Sequence, residues 1–257
     1  MATLIIGLYN NDAVYLASDS RMTQPQGNGT RRTFNVRKIF PISDTYCVSI
    51  ANNYGGLIQE TNTGIVSLLL LPLELEVMCS NAYTVKQPIQ SKITSIVSDF
   101  NSKYCEYMES RLSPPTIGED VATRLCFWGY DDSRKAFICS SYLFDRTNRV
   151  PEGITFFVRG TNHVGSPVSL QGETTFLPAV LLAKDKALAQ LRTDELSITF
   201  GTIMAEVPIA ENRVKDCILQ MFELQKTHAA AYSTDKGWVG EPYVIYKLTK
   251  QGIVKLR

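Results

Sequence analysis

The chain has 257 residues, 44% of them hydrophobic, and a formal net charge of +1. That length and apolar content suit one domain or two small ones, and with no linker or internal repeat a single domain over 1–257 is expected; well-mixed charges with no basic run longer than Arg31-Arg32 exclude an electrostatic surface for nucleic acid or for a membrane. The opening Met1-Ala2-Thr3 lacks a basic n-region, and the most apolar stretch, 65–77, is broken by Pro72, Glu74 and Glu76, short of the roughly 20 apolar residues of a spanning helix; a soluble, cytoplasmic protein is expected.

Leu4 to Tyr9 is largely aliphatic, Asn10-Asn11-Asp12 supplies a turn, and Ala13 to Ala17 resumes the apolar run, so the first two strands should form a hairpin. Thr23 to Arg32, rich in Gly, Gln, Asn and Thr, predicts a loop. Lys38-Ile39-Phe40 and Tyr46 to Ala51 predict a second strand pair, turning at Ser43-Asp44. Gly55 to Met78 carries apolar residues at helical spacing and predicts a helix that kinks or ends at Pro72. A second helix from about Pro88 to Met108 places Ile89, Ile93, Ile96, Val97, Phe100 and Tyr104 on one stripe.

Beyond Pro114-Pro115, Thr123 to Tyr130 and Ala136 to Tyr142 flank Asp131-Asp132-Ser133-Arg134, another hairpin signal, and Phe156 to Val158 is a short strand. Thr175 to Leu191 and Glu211 to Tyr232 predict helices, the latter with Val214, Ile218, Met221, Phe222 and Leu224 as its apolar residues; 194–208 fits either type of element. Tyr243 to Leu248 and Ile253 to Leu256 make a last hairpin across Lys250-Gln251-Gly252. The order strands, helices, strands, helices, strands predicts two antiparallel sheets packed face to face with helices outside.

Six scattered cysteines form no CxxC pair and sit mostly in apolar runs, so reduced, buried thiols are expected. His163 and His228 share no metal-ligand spacing, and 160–166 has no lysine after its second glycine; neither a metal nor a phosphate-bearing cofactor is expected.

Four residues of the first strands bear on chemistry. Thr3 opens the first strand, Asp19 and Arg21 lie just past the second, and Lys38 opens the third. In a hairpin the first two sites are adjacent, and a lysine side chain can reach them. A threonine at a free N-terminus can use its own α-amine, with a reference pKa of about 7.7–8.0, as base for its hydroxyl. A nearby ammonium lowers that pKa and stabilises an oxyanion, and an aspartate holds the ammonium in place. Ordinary charges at strand ends would produce the same spacing.

Thr3-Leu4-Ile5-Ile6-Gly7, then Leu16-Ala17-Ser18-Asp19-Ser20-Arg21, then Lys38-Ile39-Phe40-Pro41-Ile42-Ser43-Asp44 resemble the opening of proteasome β-type subunits and their bacterial relatives, members of the N-terminal nucleophile hydrolase group. Cys126-Phe127-Trp128-Gly129-Tyr130-Asp131 and Val239-Gly240-Glu241-Pro242 extend the resemblance more weakly. It implies an α+β fold, a four-layer αββα sandwich of two antiparallel sheets flanked by helices. It maps the family's nucleophile onto Thr3, its lysine onto Lys38, its aspartate onto Asp19, its structural arginine onto Arg21 and a second aspartate onto Asp235. Asn52 stands where the family has a glycine that gives an oxyanion-hole N–H, Trp238 replaces a serine, and Met1-Ala2 precede Thr3. The expected function is a threonine-type peptidase or amidohydrolase, active after loss of Met1-Ala2 on peptide or protein substrates and without a cofactor. A homo-oligomer is expected, and a partner unfoldase ATPase is left open. The alternative is an inactive, assembly-forming subunit.

Overall fold

The computed structural model describes residues 4–10, 13–25, 31–52, 59–61, 64–66, 70–110, 122–145, 152–158, 168–172, 210–232 and 239–257. Among them, two five-stranded antiparallel sheets dominate. The first runs β12-β1-β2-β13-β14, from Val168–Gly172 (β12), Leu4–Asn10 (β1), Ala13–Asp19 (β2), Tyr243–Leu248 (β13) and Ile253–Lys255 (β14). The second runs β11-β10-β9-β6-β5, from Glu152–Val158 (β11), Ala136–Phe144 (β10), Thr123–Asp131 (β9), Tyr46–Asn52 (β6) and Ile39–Pro41 (β5). Three helices are described: α1 (Leu71–Thr84), α2 (Ile89–Ser110) and α3 (Glu211–Tyr232).

The layer order follows from the alternation of side chains along each strand. Leu4, Ile6 and Leu8 of β1, with Ala13, Tyr15 and Ala17 of β2, pack on Val214, Cys217, Ile218, Met221 and Phe222 of α3. The intervening Ile5, Val14 and Leu16 face the second sheet and meet Cys47, Ala51, Cys126 and Trp128. The other face of that sheet, with Val48, Ile50, Leu125 and Phe127, packs on Leu75 and Cys79 of α1 and Ile96, Phe100 and Tyr104 of α2. Helix, sheet, sheet and helices therefore stack as the αββα sandwich expected. β2 is buried at all seven positions because both of its faces are covered.

Two expectations are overturned. Residues 55–78 are not one helix: Gln59–Thr61 (β7) and Gly64–Val66 (β8) pair as a ribbon, and α1 begins only at Leu71. Pro72 starts the helix rather than ending it, because a proline in the first turn forfeits no intrahelical hydrogen bond. The loop expected over 23–32 is at its ends a second ribbon, Arg21–Pro25 (β3) on Arg31–Asn35 (β4). β12 was not anticipated at all. The helix expected at 175–191 and the ambiguous segment 194–208 lie outside the described residues.

Candidate functional site

One end of the sandwich collects the chain segments singled out above. β2 closes at Asp19, opposite Tyr243, the first residue of β13. The chain passes from β4 through Val36, whose N–H donates to Ser20 O, to Lys38, whose carbonyl accepts from Ile50 N near the end of β6. Lys38 thereby stands at the edge of the second sheet while its side chain crosses to the first.

There Lys38 Nζ donates to Asp19 Oδ1 at 2.8 Å, and both side chains are wholly buried. Lys38 Nζ also donates to the carbonyl of Arg21 at 2.7 Å. The same Oδ1 accepts the N–H of Leu4 at 2.9 Å. One carboxylate oxygen thus fixes a buried ammonium and the first described residue of β1. The second oxygen, Oδ2, is buried and makes no full hydrogen bond, although the Gly240 amide faces the carboxylate and favours its charged form.

Burial pushes the Asp19 carboxyl up and the Lys38 ammonium down, and the attraction between them opposes both shifts. An ammonium held this way is a preorganised donor for negative charge that develops beside it, with no water to reorganise. It also depresses the pKa of a neighbouring amine.

Arg21 contributes its carbonyl to Lys38, and its guanidinium lies against Gly240. A Cβ on Gly240 would sit 2.4 Å from Arg21 Cζ, so a larger residue there would push the guanidinium aside. The sequence singled out Gly240 only as part of Val239-Gly240-Glu241-Pro242; its contact with two site residues had no local signal.

The structure therefore brings together Asp19, Arg21 and Lys38. Thr3 and Asp235 lie outside the described residues, as does Trp238. Asn52 is described in its backbone, paired with Thr123 at the end of β6. No group of three or more His, Cys, Asp or Glu able to hold a metal occurs among the described residues, and no described helix is long and apolar enough to cross a membrane.

No family model matches the chain, and no curated protein matches it. Solved structures of similar fold include ancestral β-subunit (Anbu) proteins. The helical assembly of the Anbu complex from Pseudomonas aeruginosa aligns with a TM-score of 0.51 at 12% identity, over 98% of this chain and 86% of that one. A Gly-1 mutant of Anbu from Hyphomicrobium sp. strain MC1 aligns with a TM-score of 0.50 at 11% identity, over 99% and 85%. Anbu from Yersinia bercovieri aligns at 10% identity with a TM-score of 0.48, over 98% and 86%. At such identities the likeness to the first two is one of fold: the chain has a proteasome-like α+β architecture.

Proposed function

We propose that the chain is one proteasome-like domain that hydrolyses peptide amides, with Thr3 as N-terminal nucleophile once Met1 and Ala2 are removed. The observation that carries this reading is the buried Lys38–Asp19 pair, tied through Asp19 Oδ1 to the amide of Leu4. That amide nitrogen belongs to the residue that follows Thr3 in the chain, which supports Thr3 as the nucleophile served by the pair. In this reading the Thr3 hydroxyl attacks the substrate carbonyl and its own α-amine takes the proton. Lys38 lowers the amine's pKa, Asp19 orients Lys38, and Arg21 supports both. The Asn52 N–H serves the oxyanion, and Asp235 completes the surroundings of the amine.

The test compares two proteins, one beginning Met-Ala-Thr and one processed to begin at Thr3. The processed form should turn over small peptide amides near neutral to mildly alkaline pH, and Thr3→Ala should abolish turnover. A folded, processed form with neither turnover nor labelling by a threonine-directed electrophile would refute the hydrolase.

One observation favours a second reading, an assembly-forming subunit without chemistry. Leu73, Val77, Tyr83 and Val85, on α1 and the residue after it, are 44–59% exposed, an apolar concentration of the kind that marks interfaces. One of the structures of similar fold is a helical assembly. Light scattering that shows only a ~29 kDa monomer at micromolar concentration, the mass following from 257 residues, would count against assembly.

A further inference from the structure

Arg124 is the second residue of β9. Its Cα lies opposite Ala51 on β6 and Leu143 on β10. Along β9 it is in phase with Cys126 and Trp128, which belong to the core between the sheets, so its side chain stands on the inter-sheet side. Register gives its height in the sandwich. Ile50 N donates to Lys38 O, and Ile50 faces Leu125, the neighbour of Arg124. Lys38 and Arg124 thus flank β6 at one end of the sheet, their Cα atoms about 10 Å apart across two strand spacings.

Unlike Arg37 and Arg134, each held by a carboxylate, the Arg124 side chain makes no hydrogen bond or ion pair among the described residues, and its Nε is shut off from solvent. A guanidinium is always charged and is all donor. Burying one of its N–H donors without an acceptor is unfavourable and calls for an explanation, while the rest of the half-exposed guanidinium stays open to a partner. The planar fork of donors matches a carboxylate, which it can take in bidentate fashion. The Lys38 charge is already matched by Asp19 and the Arg21 guanidinium lies against Gly240, so Arg124 is a further cation at this end, one that an incoming anion would neutralise.

We propose that Arg124 seats a carboxylate of the substrate, so that the site prefers peptides bearing an acidic group within one or two residues of the bond cleaved. This rests on the peptidase reading above. The spacing follows from the separation of about 10 Å, the reach of an arginine, and about 3.4 Å per residue of extended peptide. The carboxylate can be a Glu or Asp side chain or the peptide's own C-terminus.

The experiment measures binding by fluorescence anisotropy to the full chain carrying Thr3→Ala, which cannot turn the peptide over. Three labelled hexapeptides are compared: one with a single Glu and an amidated C-terminus, its Gln counterpart likewise amidated, and the Gln peptide with a free C-terminal carboxylate. One of the two acidic peptides should bind at least about tenfold more tightly than the neutral amide, as expected for a charge-assisted contact. Which one does so identifies the source of the carboxylate. Arg124→Gln should erase the preference and Arg124→Lys should keep part of it. Arg124→Gln should melt no lower than its parent, since it removes an uncompensated charge, and this separates lost binding from lost fold. Equal binding of all three peptides, or a preference that survives Arg124→Gln, would overturn the inference. Turnover by the processed form without any acidic preference would overturn this inference alone. Arg124-dependent carboxylate binding without turnover would instead overturn the hydrolase.

Discussion

Removing Lys38 leaves the Asp19 carboxylate buried with no counter-charge, and removing Asp19 strands the ammonium and the Leu4 amide together. Breaking a buried ion pair from one side costs about 3–5 kcal/mol, so Lys38→Met should lower stability in urea by that order. Asp19→Asn keeps an oxygen for the Leu4 amide and removes the charge. The double variant should therefore lose at least about 1 kcal/mol less than the sum of the two single losses. Additive losses in that cycle would mean the two charges are not coupled. Asp19 and Arg21 were legible in the sequence because they follow the apolar run of β2, and Lys38 because it opens the run of β5, and the motifs around them resemble the opening of proteasome β-type subunits. Gly240 and Arg124 were not legible. Gly240 acts through its backbone and its lack of a side chain, and an arginine at the start of a strand carries no sign that it will lack a partner.

At the scale of elements, the hairpins were legible because a period of two and a turn cluster each constrain the other. The stretch 55–78 was misread because its apolar residues fit a helical spacing that two short strands followed by a helix satisfy equally well, and a proline is compatible with either end of a helix. The β9–β10 pair carries two predictions. Gly129 faces Tyr46, and a Cβ there would lie 2.3 Å from the ring. The ring is buried, and its hydroxyl donates to Tyr130 O at 3.0 Å, so it cannot swing aside without losing that bond. Gly129→Ala should cost about 1–3 kcal/mol, the range for overpacking; an unchanged urea midpoint would show that the ring yields.

In the turn of the same hairpin, Asp131 accepts the Ser133 hydroxyl at 2.6 Å and the Ser133 N–H at 2.8 Å, and pairs with Arg134. These bonds, that of the Ser133 hydroxyl foremost, hold its carboxyl down to about 2. A depressed carboxylate contributes stability that is fully present above its unfolded pKa of about 3.9 and is lost as pH falls towards the folded value. The turn should thus weaken between about pH 4 and pH 2. Asp131→Asn should flatten that part of the stability profile, by less than about 1 kcal/mol because the pair is near the surface. A titration of the Asp131 carboxyl by NMR with a midpoint near the ordinary carboxylate value would contradict the assignment.

Across the whole molecule, the three cores share their sheets, and the cysteines report on all three. Cys217 lies between α3 and the first sheet, Cys47, Cys126 and Cys139 between the sheets, and Cys79 between the second sheet and the helices α1 and α2. Cys105, on α2, is only half-buried. Burial pushes the thiols of Cys47, Cys79 and Cys217 up, that of Cys217 to about 12. Thiolates, not thiols, react with alkylating reagents, so in the native protein Cys105 alone should label quickly. The other five should wait for the structure to open. Alternate residues of one strand serve different cores, as Tyr15 and Ala17 pack on α3 while Val14 and Leu16 face the second sheet. Detaching a helix therefore exposes a sheet face whose strands also hold the central layer, and the layers should come apart together. Labelling followed by mass spectrometry in mild denaturant should give one common rate for Cys47, Cys79, Cys126, Cys139 and Cys217. Faster modification of Cys79 and Cys217 than of the three thiols between the sheets would show instead that the outer helices open first, around a sandwich that holds on its own.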